Sequence, residues 1–521
     1  MVRSKLFKAG DLSLPTDFEW IGDWAGRRAV LTPNREALFD DIEKKLYNFN
    51  DLNLRANKIA RVLLNEGISK GDRVAMFSTN RLECIDLFLA TGKIGAILVP
   101  FNIRLSTPEL EYLIKKTSPS ILFYEPRLEN QVQEIKNLNL IENNIVMGNK
   151  PILDDNTTAK ITEKVSSSNV ERPTLNFEDP HLILFTGGTT GLPKGAVIPH
   201  RLIFWNSVNT ILSWSLTPND IQPLLFPLFH TGGWNVLLVP FYHLGAKTIL
   251  MGDFDPEETV KVIEREKATI VIGVPTMFHA MANLPLFEET DFTSVKIFIS
   301  GGAPCPVAIM EPYWAKNKPF KMGYGLTEVG PNNFYLPEQE IQKRPTSVGL
   351  PVIHCDTKII DTKTDQVVKR GDVGELLLKG PHIFSGYWLE PEETLKTIEQ
   401  DGWVHTGDLV MQDEEGFYYI VGRRKEMFIS GGENIYPVEI EEILFKHPAI
   451  DLAAVIGVSD EKWGEVGKAF LTLKSDMSLK IDEIRDYLTT KLAKYKIPKY
   501  FEIKDSLPLS ATGKILKREL K

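Results

Sequence analysis

Apolar residues in the first hundred positions change between helical and strand spacing. From Asp51 to Gly67 they recur every three or four residues, which predicts an amphipathic helix capped by Asp51 and ended by Gly67. RVAMF (73–77) and AILVP (96–100) are short apolar runs typical of buried strands, and residues 81–92 between them are predicted to form a helix. This strand–helix–strand order predicts a parallel sheet covered by helices.

Two later runs, TIVIG (269–273) and KIFIS (296–300), are further predicted strands. Ligands of parallel sheets bind beyond the carboxyl ends of the strands, and Gly301 and Gly302 are placed for that. From about residue 357 short strands separated by turns (TKII, ELLLKG, FYYIVG) indicate antiparallel pairing.

The pattern changes again after VGRRKEMFISGGENIYP, where EIEEILFKHPAI predicts an amphipathic helix with Pro437 near its start. We place a domain boundary near residues 423–426. The predicted domains are residues 1–424 and 425–521.

Composition narrows the class of protein. The 521 residues are 43% hydrophobic and 25% charged, as in globular proteins, and the net charge of −9 argues against a nucleic-acid binder. The three cysteines, Cys84, Cys305 and Cys355, suggest neither a disulfide framework nor a metal site, which fits a reducing, cytoplasmic compartment.

No secretory signal is evident. Polar residues and prolines interrupt the apolar stretch 224–246, so a buried core segment is expected there and no integral membrane association.

The stretch FTGGTTGLPKG (185–195) combines glycines, threonines and one lysine after the predicted strand LILF. Backbone N–H groups of such a loop can bind phosphate oxygens, and Lys194 adds a positive charge. The order is not that of the P-loop, because no Ser or Thr follows the lysine. Taken alone, the stretch could also be a flexible surface hairpin, although the phosphate loop is favoured.

Further motifs follow in order along the chain, and they resemble those of the adenylate-forming superfamily: acyl-CoA synthetases, firefly-luciferase-like enzymes and peptide-synthetase adenylation domains. Those motifs are SGGAP (300–304), YGLTE (324–328), GELLLKGPHIFSGYW (374–388), TGD (406–408), GRRKEMFISGGENIYPVEIE (422–441) and LPLSATGKILKREL (507–520). The similarity covers essentially the whole chain and is strongest to fatty-acyl-CoA and aryl-CoA ligases.

The resemblance implies an α/β fold. A large N-terminal domain would contain parallel-sheet αβαβα subdomains and a β-barrel-like subdomain, followed by a small mobile α+β C-terminal domain. It also implies ATP, Mg²⁺ and coenzyme A as cofactors, a small carboxylic acid as substrate, and no nucleic-acid partner; it allows a homodimer.

The resemblance assigns most site residues to ATP. Tyr324 would stack on adenine, and Asp408 and Arg423 would bind the ribose. Thr327 would donate to the α-phosphate, and Glu328 would bind magnesium. The full ATP set is Thr186, Gly187, Gly188, Thr189, Thr190, Gly191, Lys194, Gly302, Ala303, Pro304, Tyr324, Gly325, Asp408 and Arg423.

The catalytic residues implied are Lys514, Thr327, Glu328 and His230. Lys514 would stabilise the crowded anions of the adenylation step, although composition alone makes it one more lysine of a basic tail. His230 lies beside the expected acyl and thiol sites, although a lone histidine in an apolar run is more often a core residue. Arg424 and Glu426 are expected to be solvated charges.

Lys425 matches the hinge position, so the C-terminal domain would rotate between two half-reactions. Gly431, Gly432 and Glu433 would then line the path of CoA, and the basic C-terminal stretch could meet its 3′-phosphate.

The acyl pocket implied by the family comprises His230, Gly233, Trp234 and Gly323, with glycines leaving space and Trp234 forming an apolar wall. A linear fatty acid of medium or longer chain is favoured. Aryl acids are the alternative, with o-succinylbenzoate behind them.

A kinase or P-loop NTPase is disfavoured because the Gly-Lys-Ser/Thr order and the HRD and DFG signatures are absent. A non-catalytic binding protein would have lost Lys514, Glu328 or Asp408, and all three are present. A luciferase-like oxygenase is left open.

Overall fold

The computed structural model describes residues 17–186, 193–475, 477–510 and 513–520. In its first region the described residues between 17 and 199 form nine strands and six α-helices. The strands are β1 (Glu36–Asp40), β2 (Lys45–Asn48), β3 (Arg73–Phe77), β4 (Ile97–Phe101), β5 (Ile121–Tyr124), β6 (Asn144–Val146), β7 (Asn156–Thr157), β8 (Pro180–Thr186) and β9 (Lys194–Pro199). The helices are α1 (Trp24–Leu31), α2 (Phe49–Asn65), α3 (Leu82–Ile94), α4 (Thr107–Thr117), α5 (Glu129–Asn137) and α6 (Thr158–Glu163).

Strands β3 to β9 form one sheet in the order β7-β6-β5-β3-β4-β8-β9. All neighbours are parallel except β8 and β9. The predicted strand–helix–strand unit is confirmed as β3–α3–β4. The predicted cap of α2 is wrong in one detail, because Asn48 is the N-cap and Asp51 completes a capping box from the first turn.

The second region, residues 200–322, adds two sheets. Its strands are β10 (Ile221–Leu224), β11 (Lys247–Leu250), β12 (Ile270–Gly273), β13 (Ile297–Ser300) and β14 (Phe320–Met322). Its helices are α7 (His200–Ser213), α8 (Leu238–Leu244), α9 (Pro256–Arg265), α10 (Pro275–Ala282), α11 (Pro285–Glu289) and α12 (Val307–Ala315). Strands β10, β11, β1 and β2 form one sheet, and β12, β13 and β14 form a parallel one.

The apolar stretch 224–246 packs into the core of this region, as expected. No helix within the described residues has both the length and the apolar character needed to cross a membrane.

The third region ends at residue 423. Its strands are β15 (Phe334–Tyr335), β16 (Ser347–Pro351), β17 (Asp356–Ile360), β18 (Val373–Lys379), β19 (Val404–Gln412) and β20 (Tyr418–Arg423), with helix α13 (Pro391–Thr397) before β19. They form one antiparallel sheet, which confirms the predicted change of pairing.

The last region has its own sheet and its own core. Its strands are β21 (Phe428–Ser430), β22 (Glu433–Ile435), β23 (Ile450–Asp460), β24 (Gly464–Leu473) and β25 (Tyr500–Ile503), and its helices are α14 (Pro437–Phe445) and α15 (Ile481–Thr489). Helix α14 begins at the predicted proline and buries Ile440 and Leu444. Residues 424–426 form the turn between β20 and β21, and Lys425 is exposed in it.

Candidate active site

Glycines follow two parallel strands of the β12–β13–β14 sheet. Gly301 continues the ladder after β13, donating to the carbonyl of Gly273 at 2.9 Å, and Gly323 after β14 donates to that of Ser300 at 2.7 Å. A Cβ atom on Gly301 would meet nothing within 4 Å, and one on Gly302 only Val274, at 3.7 Å. This strand end is therefore an open backbone surface, with Ala303 half-buried and Pro304 exposed beside it.

Gly325 has a different role. A Cβ atom there would lie 2.2 Å from the carbonyl carbon of Pro331, so the close approach of two backbone segments requires glycine. This contact fixes the chain immediately after Tyr324.

Tyr324, Asp408 and Arg423 form a cluster, called the Asp408 cluster below, in which Asp408 is buried and the other two are half-buried. Asp408 and Arg423 are register partners on β19 and β20. The Tyr324 hydroxyl donates to one oxygen of Asp408 at 2.6 Å, and Nε of Arg423 forms an ion pair with the other oxygen, also at 2.6 Å. Burial raises the pKa of Asp408, and the Arg423 charge opposes that rise. Burial also raises the pKa of Tyr324, so its hydroxyl remains a donor.

Lys514 reaches this cluster from the C-terminal region. Its loop contacts the large domain through two carbonyls: that of Gly513 accepts from Oγ1 of Thr276 at 3.1 Å, and that of Ser510 from Nη1 of Arg104 at 2.9 Å. Burial lowers the pKa of Lys514, and the Arg423 charge lowers it further. The same ammonium acts on the pKa of Asp408. The structure thus brings together residues that are about 100 positions apart.

The charge of the same ammonium also acts on His230. Burial, together with the charge of Lys514, lowers the pKa of His230 to about 4, so the ring is neutral near pH 7. Its Nδ1 accepts from the backbone N–H of Gly232 at 3.1 Å. The neutral ring therefore carries its proton on Nε2 and offers one donor.

A second group, the Glu328 cluster, comprises Thr186, Lys194, Glu328, Tyr387 and Glu393. Thr186 ends β8 and pairs in register with Lys194 on β9. Oγ1 of Thr186 donates to Oε1 of Glu328 at 3.3 Å, and the Tyr387 hydroxyl donates to the same oxygen at 2.9 Å. Thr327, which precedes Glu328 in a short 3₁₀ turn, is buried.

Lys194 is buried, and its ammonium binds the carboxylate of Glu393. It also lies 5.1 Å from the centre of the Tyr387 ring. The predicted phosphate-loop residues Gly187, Gly188, Thr189, Thr190 and Gly191 lie outside the described residues.

Tyr387 and Glu393 were missed by the sequence analysis. Residues 385–388 pair with β9, with Ser385 N–H donating to Val197 and Trp388 N–H to Gly195. The motif GELLLKGPHIFSGYW contains Tyr387, but nothing local in the sequence shows that this stretch lies beside Lys194.

The expected acyl-pocket residues pack closely against other parts of the protein. Trp234 is fully buried, with its ring centroid 4.8 Å from that of Phe88, so its ring is part of the core. Gly233 allows a close backbone approach, because a Cβ there would lie 2.4 Å from the Pro227 carbonyl oxygen. A Cβ on Gly323 would contact Ile299 at 3.3 Å.

The turn after His230 is a π-helical segment, Gly232–Val236, whose last carbonyls are held by buried amides. Nδ2 of Asn206 donates to the carbonyl of Asn235 at 2.6 Å, and Nδ2 of Asn332 to that of Val236 at 2.9 Å. A polar layer therefore backs this turn.

The residues expected along the CoA path lie on the β21–β22 hairpin. Gly431 and Gly432 have positive φ angles of +61° and +90°, as a tight hairpin turn requires, and Glu433 is exposed. Gly431 N–H donates to the carbonyl of Trp463 at 3.0 Å, within the C-terminal region.

Two charges expected in solvent, Arg424 and Glu426, form ion pairs within the protein. Arg424 contacts the buried carboxylate of Glu375 at 3.1 Å, while Glu426 contacts Lys517 at 3.4 Å. Lys517 also binds Glu441 at 2.7 Å. This lysine of the basic C-terminal stretch is thus engaged within the protein.

The residues present fit magnesium and a nucleotide triphosphate. Glu328 offers a carboxylate beside the hydroxyls of Thr186 and Tyr387, and Mg²⁺ commonly takes one or two protein carboxylates together with waters and phosphate oxygens. In the described parts of the chain no three His, Cys, Asp or Glu side chains group as metal ligands. A carboxylate with two lone pairs on each oxygen, as in Asp408, can share its bonds with ribose hydroxyls.

Tyr324 follows a parallel strand, Asp408 lies on the antiparallel sheet, and Lys514 comes from the C-terminal region. This arrangement fits an adenylate-forming enzyme. Comparison with known proteins supports the same class of enzyme. The AMP-binding enzyme family matches residues 26–388, and the AMP-binding enzyme C-terminal domain matches residues 439–514. The chain belongs to this family.

Relatives support the same class. The chain is 34% identical over 503 residues to feruloyl-CoA synthase of an Amycolatopsis species, covering 96% of this chain and 98% of the relative. It is 34% identical over 533 residues to the mitochondrial medium-chain acyl-CoA ligase ACSF2 of Mus musculus, covering 96% and 87%.

Among solved structures, o-succinylbenzoate CoA synthetase of Bacillus subtilis in complex with ATP and magnesium superimposes with a TM-score of 0.84 at 29% identity, covering 96% of this chain and 99% of that one. The protein is an AMP-forming CoA ligase that uses ATP, Mg²⁺ and coenzyme A.

Proposed function

We propose that this enzyme joins a carboxylic acid to coenzyme A through an acyl-adenylate, with Lys514 as the principal catalytic residue. The observation that supports this most is the convergence of Lys514, Asp408 and His230 from three distant parts of the chain. A cation positioned between two anions stabilises the negative charge that develops as they react.

The Asp408 cluster would hold the nucleoside, with Gly301 to Pro304 as its backbone wall. The Glu328 cluster would hold the triphosphate, with Thr186 and Lys194 on the phosphates and Glu328 on magnesium. Magnesium, when bound there, would neutralise phosphate charge. Thr327 would donate to the α-phosphate. The neutral His230 would offer its Nε2–H to the acid, which orients the carboxylate without adding charge.

Thioester formation would use a second arrangement of the C-terminal domain, residues 425–521. The turn 424–426 joins two separate sheets and exposes Lys425, which suits a hinge. Rotation there would withdraw Lys514 and bring Gly431, Gly432 and Glu433 to the path of the thiol. The free, buried cysteines suit the reducing, cytoplasmic setting that we also propose.

For the acid, we propose an aromatic carboxylate in preference to the linear fatty acid that the sequence favours. The likeness to feruloyl-CoA synthase supports this choice. A medium-chain fatty acid is the second candidate, supported by the likeness to ACSF2.

The test is pyrophosphate release from ATP and magnesium over a panel of acids, with and without CoA. The panel runs from acetate to palmitate and includes benzoate, 4-coumarate, ferulate, o-succinylbenzoate and several amino acids. A maximum among aromatic acids, with AMP turnover that depends on CoA, is expected. A maximum among straight-chain acids would overturn the substrate proposal, and turnover indifferent to CoA would overturn the proposed acceptor.

A further inference from the structure

The ammonium of Lys194 is already bound by a carboxylate of the protein. Glu393, in the first turn of α13, forms an ion pair with it; the Lys194 side chain is buried and the Glu393 side chain is partly exposed. A phosphate oxygen that approaches Lys194 must therefore compete with Glu393.

Tyr387 joins this ion pair to the proposed magnesium ligand. Its ring lies under the Lys194 ammonium, 5.1 Å from ring centre to Nζ, and its hydroxyl donates to Glu328 at 2.9 Å. Glu393, Lys194, Tyr387 and Glu328 thus form a continuous chain of contacts. A phosphate between Lys194 and Glu328 would lie beside the position that the Glu393 carboxylate occupies.

We propose that Glu393 is a positioning residue that competes with the β- and γ-phosphates for Lys194 and so weakens triphosphate and pyrophosphate binding relative to AMP. This inference rests on the proposed role of Lys194. Its functional consequence is easier release of pyrophosphate after adenylation, since Glu393 can take back the lysine as the product leaves.

Moving Lys194 from Glu393 to a phosphate should cost little free energy, because Glu393 has a second cation. Lys396, one turn further along α13 and largely exposed, contacts the same carboxylate at 2.6 Å. When Lys194 turns to a phosphate, Glu393 keeps this partner and its access to solvent. The two lysines, Lys194 first, lower the pKa of Glu393 to about 2, so it competes as an anion at every working pH.

The experiment measures binding of Mg-ATP, pyrophosphate and AMP to the full-length enzyme by calorimetry. We expect Glu393→Gln to tighten Mg-ATP and pyrophosphate about threefold or more and to leave AMP unchanged, because AMP lacks the competing phosphates. Glu392→Gln is the matched control, since it removes the same charge from the neighbouring, exposed position of α13. It should leave all three affinities unchanged.

Weaker Mg-ATP binding by Glu393→Gln would overturn the inference, because Glu393 would then hold Lys194 in its productive position. An equal gain for AMP, or the same gain in Glu392→Gln, would also overturn it, because the effect would be one of overall charge. Lys194→Ala separates this from the proposed function. If it leaves ATP affinity intact, the proposed role of Lys194 fails; if it weakens ATP while Glu393→Gln gains nothing, only this inference fails.

Discussion

The two clusters of the site hold their carboxylates in different ways. Asp408 is 3% exposed, and both of its oxygens are bound by fixed neighbours, Tyr324 and Arg423. Glu393 is bound by two lysines. Lys396 is largely exposed, and Lys194 is the residue expected to bind phosphate. A buried, doubly held carboxylate is a rigid receptor, whereas an ion pair at a solvent boundary can be exchanged. The nucleoside is thus expected to bind a preformed pocket, and the phosphates an exchangeable one.

The largest effect should come from Lys514→Ala. Adenylation should fall by about a hundredfold or more, because the cation beside the Asp408 cluster is lost at the step where two anions meet. Thioester formation from supplied acyl-AMP should be retained, as should the thermal midpoint. Pyrophosphate release and CoA-dependent AMP release measure the two steps, and equal loss of both would contradict the assignment.

Asp408→Asn should break the rigid cluster. The change leaves Arg423 and Lys514 without their buried anion, so we expect a loss of about 1–3 kcal/mol in the free energy of unfolding. The KM for ATP should rise about tenfold or more. Glu393→Gln should neither lower the free energy of unfolding nor raise the KM for ATP. If the two variants behave alike in denaturant titration and ATP kinetics, the contrast between rigid and exchangeable carboxylates is wrong.

Two glycines allow a test of whether the strand end at Gly301 is open space for the nucleotide. Gly325→Ala should destabilise the fold by about 1–3 kcal/mol, because its Cβ would lie 2.2 Å from Pro331. Gly301→Ala should keep the fold within about 0.5 kcal/mol, since its Cβ enters open space, yet weaken ATP where that space takes the nucleotide. Urea unfolding and ATP binding on both variants separate structure from site. Equal destabilisation would mean that the strand end is not open.

The smallest expected effect is a loss of stability at low pH. His230, whose pKa is lowered from 6.5 to about 4, stays neutral in the folded protein while the unfolded chain takes up its proton. Stability should therefore fall as pH drops from about 6.5 towards 4, with about 1 kcal/mol from this residue at pH 5.5. Urea titrations at pH 7.5 and 5.5 should show that His230→Gln reduces the acid loss by that amount. An unchanged loss would place His230 in a wetter setting than its contacts indicate.

Much of the fold follows from local sequence patterns. Strands β3, β4, β12 and β13 lie within a residue or two of their predicted bounds, because short β-branched runs between turn residues specify buried strands directly. The Asp408 cluster also has a strong local signature, since Tyr324, Asp408 and Arg423 each belong to a compact motif.

What could not be predicted depends on pairing over long sequence distances. The ion pair between Lys194 and Glu393 joins residues 199 positions apart, and it forms because residues 385–388 lie along β9. Trp234 shows that a local motif does not fix the direction of a side chain either. An apolar side chain beside a pocket motif can face the core or the ligand, and only its stack on Phe88 decides between them.

The pairing of residues 385–388 with β9 has a further consequence for how the chain matures. Strand β9 ends the seven-stranded sheet, and an uncovered edge strand is a template for pairing with other chains. Its cover is encoded almost two hundred residues later. During synthesis this edge must therefore remain exposed until the ribosome has released the 385–388 segment, so nascent chains that stall earlier should be the species most prone to aggregate and most dependent on chaperones.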